Sequence, residues 1–527
     1  MGLVNSKNFK KKGGTKLTII KLIKVLNKIK LLSPLGLYRL ISAISKYGIN
    51  IMLLLKITER TNGNKVALVD GNETVSYKQL LLQCEKLSII FKENYHIKEG
   101  QKVAFLCKNH ASLVKSIFAV SRLGSDIYLL NSEMSKLQFN QLVKQHDFDF
   151  LIYDFELNSF IEDSHYMNRK ILSYHENLPS INNLLKTNIV QSNRIKRSSI
   201  GEIVLLTGGT TGISKAVTHK PSLYNFLDPF TTLLSRLNLL TYNTVYIATP
   251  IYHGYGIAIL LSFIALGKKV VINDGFNAKK ACSLIREHKV EVITVVPLMI
   301  HKMLGTSVED LKSLRCIASG GAKLNSSLVE TVQYELGDVL YNLYGTSEAG
   351  LNIIATPQDL KYSVNTIGKE IKGVRLKVMD NKIEVVDGRI GQFTIHNKWS
   401  MRNTKSPWIA TGDLGYRDQN GYYFLCGRTD DMVVSGGENI YPIEVEQVLI
   451  NHPLVEDVAI IGISDEKFGQ TLKAFVQSSK KDETITKEAL VEWLRPRVAR
   501  FQLPKEIVFV NNLPYTPLGK IDKKQLK

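Results

Sequence analysis

The N-terminal part of the chain contains two stretches in which apolar residues recur every three or four positions. In the first stretch the apolar residues are Ile19, Leu22, Ile23, Leu26 and Ile29. Lysines occupy the opposite side of the same helix at Lys21, Lys24 and Lys28. The second follows a break at Ser33 and Pro34 and leads into an apolar run over 49–55: Leu37, Leu40, Ile41 and Ile44. This spacing predicts two amphipathic helices, of which the first is strongly basic.

From Lys65 onward, short runs rich in strand-forming residues alternate with helical patterns. The runs that predict strands are 103–106, 127–130, 151–153, 203–206, 245–248, 270–272 and 292–296. A helical pattern through Val114, Ile117 and Val120 lies between the first two of them. Such alternation is typical of βαβ units, so we expect an α/β fold with a doubly wound parallel sheet and helices on both faces. A polar, basic stretch over 186–199 is expected to be a connector.

Composition narrows the class of protein. The 527 residues are 44% hydrophobic, which is too apolar for a disordered chain and long enough for several folded domains. The five cysteines are scattered and form no Cys-x-x-Cys pair, which disfavours a disulfide scaffold and structural zinc. Of the net charge of +20, residues 1–60 contribute +12, with thirteen Lys or Arg against Glu59. The charge therefore belongs to an N-terminal appendage.

The basic appendage has several interpretations. Arg39, Lys46 and Lys56 interrupt every apolar stretch long enough to span a bilayer, which disfavours a transmembrane segment. Few aromatic residues lie among the lysines, so we do not expect nucleic acid as a partner. Lysines within the apolar stretch also disfavour a signal peptide. We expect residues 1–55 to bind an anionic membrane surface, with the protein cytoplasmic and peripheral on the inner face of the membrane. Docking of the same helices on the protein's own body is the open alternative.

A glycine-rich segment follows the predicted strand at 203–206. It has the sequence LLTGGTTGISKAV over 205–217, with glycines at Gly208, Gly209 and Gly212. Glycine lets backbone N–H groups turn toward an anion, and threonine hydroxyls and the ammonium of Lys215 add further donors. The segment therefore predicts a phosphate-binding loop, with an ordinary hairpin loop as the alternative. It is not a Walker A loop, because no Gly-Lys pair has a glycine at the required distance before it.

Five further motifs follow this loop in a fixed order. They are SGGAKL at 319–324, YNLYGTSEAG at 341–350, TGD at 411–413, GRTDDMVVSGGENIYPIEVE at 427–446 and PYTPLGKIDKKQL at 514–526. Together the six motifs resemble those of the adenylate-forming (AMP-binding) superfamily, and they look most like those of bacterial fatty acyl-CoA synthetases. The likeness runs from about residue 60 to the end of the chain.

The resemblance implies a domain organisation. Residues 1–55 would be the membrane-associating segment, and residues 56–429 a large AMP-binding domain with doubly wound sheets and a small β-rich subdomain. Residues 430–527 would form a small mobile C-terminal α+β lid that swings about Asp430 and carries the catalytic lysine.

The resemblance also implies roles for individual residues. Those implied to be catalytic are Lys520, Lys215 and Glu348, with Glu348 as the Mg²⁺ ligand. Those implied to bind ATP or AMP are Thr207, Gly208, Gly209, Thr210, Thr211, Gly212, Gly320, Gly321, Ala322, Asn342, Tyr344, Gly345, Ser347, Asp413 and Arg428. Those implied to line a thiol tunnel for CoA are Gly436, Gly437 and Glu438.

The acyl group is expected to meet the segment ATPIYHGYGIAILL at 248–261. The segment contains no acidic residue to pair with an amine, which disfavours an amino acid substrate. Tyr252, His253 and Tyr255, followed by an aliphatic run, suggest a pocket for a lipophilic acyl chain; a buried core helix is the alternative for that run.

We therefore expect an ATP- and Mg²⁺-dependent ligase that activates a fatty acid as an acyl adenylate and transfers it to CoA, in a chain that could form a homodimer. The alternatives are a ligase for an aryl or short-chain acid, a ligase that loads a separate acyl-carrier protein, and a non-catalytic membrane-attached binder of nucleotide or acyl groups.

Overall fold

The computed structural model describes residues 33–187, 195–199, 201–207, 215–219, 227–400, 406–436, 438–478, 485–516 and 520–526. The predicted helix over Ile19–Ile29 lies outside these ranges. The chain divides into two compact units. The first comprises Met1–Val295, Lys302–Ala318 and Lys398–Asn403, and the second comprises Val296–His301, Ser319–Asn397 and Thr404–Lys527. The predicted lid boundary at 429/430 falls inside the second unit and stays a prediction.

Helices and strands alternate through the first unit and give way to strands in the second. The helices are α1 Pro34–Tyr47, α2 Ile51–Asn62, α3 Tyr77–Glu93, α4 Ala111–Leu123, α5 Lys136–His146, α6 Asn158–Glu162, α7 Ile181–Leu184, α8 Leu227–Arg236, α9 Gly254–Ala265, α10 Ala278–His288, α11 Pro297–Leu304, α12 Ser326–Leu336, α13 Pro357–Tyr362, α14 Pro442–Ile450 and α15 Lys487–Leu494. Short 3₁₀ turns occupy Phe155–Leu157, Glu309–Leu311, Arg500–Gln502 and Lys523–Leu526.

The strands are β1 Val66–Val69, β2 Thr74–Ser76, β3 Lys102–Leu106, β4 Asp126–Leu129, β5 Phe150–Tyr153, β6 Arg169–Leu172, β7 Ile203–Thr207, β8 Lys215–His219, β9 Thr244–Ile247, β10 Lys269–Ile272, β11 Val292–Val295, β12 Cys316–Gly320, β13 Leu340–Thr346, β14 Gly350–Ala355, β15 Thr366–Glu370, β16 Arg375–Asp380, β17 Ile383–Glu384, β18 Gly391–His396, β19 Ile409–Arg417, β20 Tyr423–Arg428, β21 Val433–Ser435, β22 Glu438–Ile440, β23 Val455–Asp465, β24 Gly469–Ser478 and β25 Glu506–Val510.

The first unit contains two largely parallel sheets. One has the order β6-β5-β3-β4-β7-β8, parallel except for the antiparallel edge strand β8. The other contains β11-β9-β10-β1, all parallel, and the antiparallel strand β2. Their central strands are buried along nearly their whole length, which is why they appear in the sequence as largely apolar runs without alternation. The seven predicted strands and the α/β class are confirmed.

The second unit is mainly antiparallel. Strands β17-β16-β18-β19-β20-β15-β14-β13 pair with their neighbours in that order, each pair antiparallel. The last part of the chain forms the sheet β22-β21-β24-β23, to which β25 adds in parallel on β24. Helix α14 packs on β23 through a core that includes Val445, Leu449 and Ile460. A small C-terminal α+β domain is therefore present, as predicted.

Both N-terminal helices begin at a capping residue, and the second packs against the rest of the first unit. Helix α1 begins at Pro34, where Ser33 accepts a hydrogen bond from Gly36 N–H at 3.0 Å, and α2 begins after Asn50, which caps Leu53 N–H at 3.3 Å. Four residues of the predicted apolar run, Ile51, Met52, Leu53 and Leu55, are buried against the rest of the unit. The docking alternative is therefore correct for this run.

The aliphatic run after Tyr255 forms α9, which is buried on nearly every side. Its buried residues are Gly256, Ile257, Ile259, Leu260, Ser262, Phe263 and Ile264. The helix packs against α2, β9 and β10. A helix that is apolar all round belongs to the core. The run therefore does not support a lipophilic acyl pocket, and the core-helix alternative is correct.

Within the described ranges, no helix combines the length and the apolar character that crossing a bilayer requires.

Candidate active site

Asp413 is the centre of a charged cluster in the second unit. Strands β19 and β20 run antiparallel with Asp413 opposite Arg428, and Arg428 Nη1 donates to Asp413 Oδ1 at 2.9 Å. Tyr344 Oη donates to Asp413 Oδ2 at 2.7 Å, and Arg428 Nε donates to Asp430 Oδ1 at 3.1 Å. Each oxygen of Asp413 keeps a further lone pair, so the carboxylate can still accept from a ligand hydroxyl. Four of the predicted site residues thus lie together.

Gly412 makes this pairing sterically feasible. Its φ of +77° lies in the left-handed region, and a Cβ there would stand 2.8 Å from an Nη atom of Arg428. Thr429 N–H donates to Gly412 O at 2.8 Å, and Asp413 N–H donates to Thr411 Oγ1 at 3.1 Å. Glycine at the middle position of the TGD motif is therefore required if the Asp413 carboxylate is to lie against the Arg428 guanidinium.

The charges of this cluster influence one another. Burial raises the pKa of Asp413, while the hydrogen bond from Tyr344 and the cations Arg428 and Lys520 oppose that rise. Burial and the Asp413 carboxylate hold the pKa of Tyr344 well above its ordinary value, so Tyr344 remains a donor. Lys520 is exposed to solvent over part of its surface. The surrounding protein nevertheless desolvates its ammonium group and lowers the pKa of Lys520. The Asp413 carboxylate opposes this lowering, and the Arg428 guanidinium adds to it. Lys520 therefore belongs electrostatically to the same site.

A short turn between β13 and β14 presents Glu348. Gly345 lies so near the other strand that a Cβ would stand 2.4 Å from Gly350 O. Ala349 N–H donates to Thr346 Oγ1 at 3.1 Å, and Asn397 Nδ2 donates to Ala349 O at 2.8 Å. Glu348 is therefore held between two strands, not at the start of a helix.

The Glu348 carboxylate is available to a cation. The side chain is half-buried and makes no hydrogen bond or ion pair with the residues that the structure describes. Its neighbour Ser347 is exposed. Mg²⁺ prefers one or two carboxylates together with phosphate oxygens. This unpartnered carboxylate therefore fits the predicted metal role.

The predicted base-binding residues lie on β12, on β13 and just after β12. Gly320 ends β12, and a Cβ there would lie 3.1 Å from Leu343 O, while Gly321 has a φ of +81°. Ala322 is half-buried and Asn342 is buried on β13. The buried hydroxyl of Ser319 has no hydrogen-bond partner in the described part of the chain. Among these residues, Ser319 therefore offers a buried polar group to which a ligand could bind.

Lys520 is held by a small turn near the end of the chain. Thr516 N–H donates to Lys520 O at 2.7 Å, and Lys520 N–H donates to Thr516 Oγ1 at 3.2 Å. Tyr515 lies opposite Ile521 in an isolated antiparallel bridge, and its hydroxyl donates to Asp457 on β23. A small core of Ala459, Ile461, Phe475 and Leu513, with Tyr515 and Ile521 packed against it, supports the turn from below.

The predicted thiol-tunnel residues lie on a hairpin. Ser435 pairs with Glu438 across β21 and β22, and Gly436 has a φ of +58° and donates its N–H to Phe468 O at 2.9 Å. Gly436 and Glu438 are exposed, and Gly437 lies outside the described ranges. A glycine at a two-residue hairpin turn is expected from the backbone alone. The role in a thiol tunnel stays a prediction.

Most of the predicted phosphate loop lies outside the described residues: Gly208, Gly209, Thr210, Thr211 and Gly212. The strands that flank it are β7 and β8, which pair antiparallel with Thr207 opposite Lys215. Two of the predicted site residues, Thr207 and Lys215, therefore face each other at the ends of these paired strands.

The predicted acyl-pocket residues precede and begin α9. Tyr252 is buried, and its ring centroid is 4.5 Å from that of His253. Tyr255 Oη donates to Ala318 O at 2.9 Å. Asn109, which is buried and which the sequence did not identify, fixes this segment by donating to Thr249 O at 3.0 Å and accepting from Ile251 N–H at 2.7 Å. Asn109 is therefore a positioning residue for the predicted pocket.

Cys107, His110 and Asp154 have ligand atoms within 4.8 Å of one another, which is metal-like spacing. His110 Nδ1 accepts from Leu113 N–H at 3.0 Å, and its Nε2 pairs with Asp154 Oδ1 at 2.8 Å. Both ring nitrogens are therefore used by the fold, and this cluster is structural.

Sequence reasoning missed Tyr515 and Asp457 as well as Asn109. Tyr515 has a weak signal, since it follows directly on Pro514 within the terminal motif. Asp457 has none, because it is one acid on a strand 58 positions away.

Two family models match the chain. The model described as "AMP-binding enzyme" matches residues 55–403, and the model described as "AMP-binding enzyme C-terminal domain" matches residues 444–520. Among curated proteins, the chain is 27% identical over 481 residues to the 2-succinylbenzoate–CoA ligase of Geobacillus sp. (strain WCH70), covering 88% of this chain and 94% of that protein. It is 26% identical over 484 residues to the 2-succinylbenzoate–CoA ligase of Bacillus licheniformis, covering 90% and 98%.

Solved structures give the same fold. The o-succinylbenzoate CoA synthetase of Bacillus subtilis, in complex with its acyl-adenylate intermediate, superposes with a TM-score of 0.78 at 24% identity, covering 90% of this chain and 97% of that one. The same enzyme in complex with ATP and magnesium ion gives a TM-score of 0.77 at 23% identity, covering 90% and 98%. The amide bond synthetase McbA of Marinactinospora thermotolerans gives 0.80 at 22% identity, covering 90% and 99%.

Proposed function

The chain belongs to the AMP-binding enzyme family, and from that premise we propose that it joins a carboxylic acid to CoA through an acyl adenylate. In the first half-reaction, a carboxylate oxygen of the acid attacks the α-phosphorus of ATP and pyrophosphate leaves. In the second, the thiol sulfur of CoA attacks the acyl carbon, AMP leaves and the thiol proton passes to solvent.

The observation that carries this proposal is the cluster of Tyr344, Asp413, Arg428 and Lys520 in one compact unit. Adenylation brings a carboxylate against a phosphate, so the site must supply positive charge and alignment more than covalent chemistry. The Lys520 ammonium meets that need where the charge develops. The Asp413 carboxylate, with an acceptor lone pair left on each oxygen, suits a pair of ribose hydroxyls.

The remaining roles follow from residue chemistry. Glu348, which has no partner in the described chain, would hold Mg²⁺, and the metal would neutralise phosphate charge when bound. Lys215 and the loop from Gly208 to Gly212 would hold the outer phosphates, with Ser347 as a further donor. Gly320, Gly321 and Ala322 would line the base. The residues after Asp430 would move as a lid and bring Gly436 to Glu438 toward the pantetheine arm of CoA.

For the acid, we propose an aryl carboxylic acid of the 2-succinylbenzoate type. Two observations favour it over the fatty acid expected from sequence. The curated relatives named above act on 2-succinylbenzoate and align over nearly the whole chain. The aliphatic run that suggested a lipid pocket is the core helix α9. Tyr252, His253 and Tyr255 then offer aromatic surfaces for a ring.

The test is acid-dependent exchange of pyrophosphate into ATP over a panel of acids, followed by thioester formation with CoA. The panel contains 2-succinylbenzoate, benzoate, acetate and fatty acids from C8 to C16. We expect exchange to be strongest with 2-succinylbenzoate and net thioester to appear only when CoA is added. Stronger exchange with a fatty acid would overturn the substrate assignment, and no exchange with any acid would overturn the activity.

A further inference from the structure

Helix α1 has an apolar face that the body of the protein does not cover. Its inward side carries the buried residues Gly36, Ala43 and Tyr47. Its outward side carries Leu35, Leu37, Tyr38 and Ile41, which are 56%, 53%, 68% and 60% exposed. Single exposed apolar residues are ordinary, but four within seven positions form a patch. We call these four residues the outer face of α1.

The predicted stripe on this helix therefore divides between two sides. Leu40 and Ile44 are half-buried against the unit, whereas Leu37 and Ile41 point away from it. The helix itself is well fixed: the Tyr47 hydroxyl donates to Glu85, and the Arg122 guanidinium lies 5.0 Å from the centroid of the Tyr47 ring. The outer face is thus a stable surface feature and not the result of a loosely packed helix.

A rim of positive charge adjoins the outer face. Helix α1 contains Arg39 and Lys46 and no acid. Arg122 donates to Lys46 O at 3.4 Å and to Lys196 O at 2.9 Å, which places the exposed residues Lys196 and Arg197 beside the end of α1. The rim therefore joins cations from two distant parts of the sequence.

Acids near this rim have contacts within the fold. Glu85 accepts from the Tyr47 hydroxyl, Glu59 accepts from Lys56 Nζ at 3.1 Å, and Glu99 accepts from Ser199 Oγ at 2.8 Å. The segment that leads directly into α1, residues 1–32, has nine lysines and no acid. Lys46, Lys196 and Arg197 are exposed, so a surface that covers the outer face also meets positive charge.

We propose that the outer face of α1 docks on an anionic lipid surface. Leu37, Tyr38 and Ile41 would enter the boundary between headgroups and acyl chains, while Lys46, Lys196 and Arg197 would meet lipid phosphates. Apolar residues rimmed by lysine are typical of helices that lie in a membrane interface. A second copy docked face to face would instead bring two cationic rims together, and like charges across an interface are unfavourable, which argues against a second copy of the chain as the occupant. This docking is independent of the proposed ligase activity.

Vesicle co-sedimentation of the full chain tests the proposal. One set of vesicles is pure phosphatidylcholine, and the other is an equimolar mixture of phosphatidylcholine and phosphatidylglycerol. We expect at least tenfold stronger partitioning onto the anionic vesicles, and weaker partitioning when the salt concentration rises to 0.5 M, because salt screens the lipid charge. Equal binding to both vesicles, or to neither, would overturn the proposal.

Two double variants identify the surface. Leu37→Gln with Ile41→Gln should reduce partitioning onto anionic vesicles at least tenfold, whereas Leu137→Gln, at a leucine that is 69% exposed on α5, should not. Lys196→Gln with Arg197→Gln should reduce partitioning about five- to 25-fold. The matched pair Lys279→Gln with Lys280→Gln, exposed on α10, should leave it within twofold.

Thermal melting followed by circular dichroism establishes that each variant is folded, and it does not depend on any activity. Wild-type partitioning in the outer-face variant would overturn the proposal. So would a change from dimer to monomer in analytical ultracentrifugation without a change in vesicle binding, because the occupant would then be a second copy of the chain.

Discussion

The Asp413–Arg428 ion pair and Lys520 belong to one proposed site, but the fold holds them in place by different means. Asp413 and Arg428 lie opposite each other on paired strands, and the register of β19 and β20 fixes their separation. Lys520 lies on a short turn whose hydrogen bonds are local, and the turn is joined to β23 by apolar packing of Tyr515 and Ile521 and by the Tyr515 hydroxyl on Asp457. The first arrangement is fixed by strand register, and the second by a small core and one side-chain hydrogen bond.

This difference suggests how the two half-reactions divide the site. Both half-reactions bind the adenylate, so a change at Asp413 should affect both of them. Attack of a carboxylate on the α-phosphorus belongs only to adenylation, and the proposed lid movement would take Lys520 away from the phosphate before transfer, so a change at Lys520 or in its support should affect mainly that step. The following substitutions test the division, beginning with the largest expected effect.

Lys520→Ala should lower the rate of acid-dependent pyrophosphate exchange at least about 10²-fold, because it removes a preorganised cation from the developing charge. Thioester formation from a supplied acyl adenylate and CoA should stay within about threefold of wild type. Lys524→Ala, at an exposed lysine in the same tail, is the control. An equal loss in both half-reactions would contradict the division.

Asp413→Asn should weaken both half-reactions about tenfold to 100-fold, as expected when a charged hydrogen-bond acceptor is lost. Arg428 would keep its bond to Asp430. Steady-state kinetics with ATP, and separately with supplied adenylate, measure the two effects. The control is Asp387→Asn. It alters another Asp–Arg ion pair, in which Arg417 Nη2 lies 2.6 Å from Asp387 Oδ1. If only adenylation suffers, the two regions are not distinct in the proposed way.

Tyr515→Phe should slow adenylation about five- to 20-fold, because it removes the hydrogen bond between the Lys520 turn and Asp457. A lost hydrogen bond to a charged group costs about 1.5–3 kcal/mol. Only part of that cost should affect the position of Lys520. Transfer to CoA should be unchanged. Tyr362→Phe removes a comparable bond, 2.7 Å to Asp418, and serves as the control. A matched drop in both half-reactions would indicate general destabilisation.

The pH dependence gives the smallest effect. Desolvation lowers the pKa of Lys520 from its ordinary value of 10.5. Because the protonated ammonium is the active form, kcat/KM for exchange should fall as pH rises through that lowered pKa, earlier than for an ordinary lysine. Profiles from pH 7 to 10.5 should show a severalfold decline by the upper end, and transfer to CoA should not share it. A flat exchange profile would contradict the electrostatic coupling of Lys520 to the site.

The parallel core was predictable because its strands are buried along nearly their whole length. The run 203–206 is apolar at every position, and the run 292–296 is apolar except for Thr294, which is β-branched and buried. The motif residues Asp413, Arg428 and Tyr344 could also be assigned, since their neighbours in sequence carry the family pattern.

Periodicity alone could not predict which side of an apolar helix is buried, or what covers it. The aliphatic run of α9 has the same sequence whether it lines a pocket or packs on α2, and the structure shows core packing. Likewise, the stripe Leu37, Leu40, Ile41 and Ile44 has one spacing but two environments. Contacts over long separations, such as Tyr515 with Asp457, depend on the sheet that brings them together and leave no local signal.

The contacts of Arg122 have a consequence for the time course of synthesis. Its guanidinium donates to Lys46 O and Tyr47 O and also to Ile195 O and Lys196 O, which come about 150 residues later in the chain. Helix α1 therefore cannot complete its packing until about 150 more residues have left the ribosome, which takes about 8–30 seconds at typical elongation rates. During that interval the hydrogen bonds from Arg122 to residues 195 and 196 are missing, so the end of α1 is held less firmly than in the finished fold.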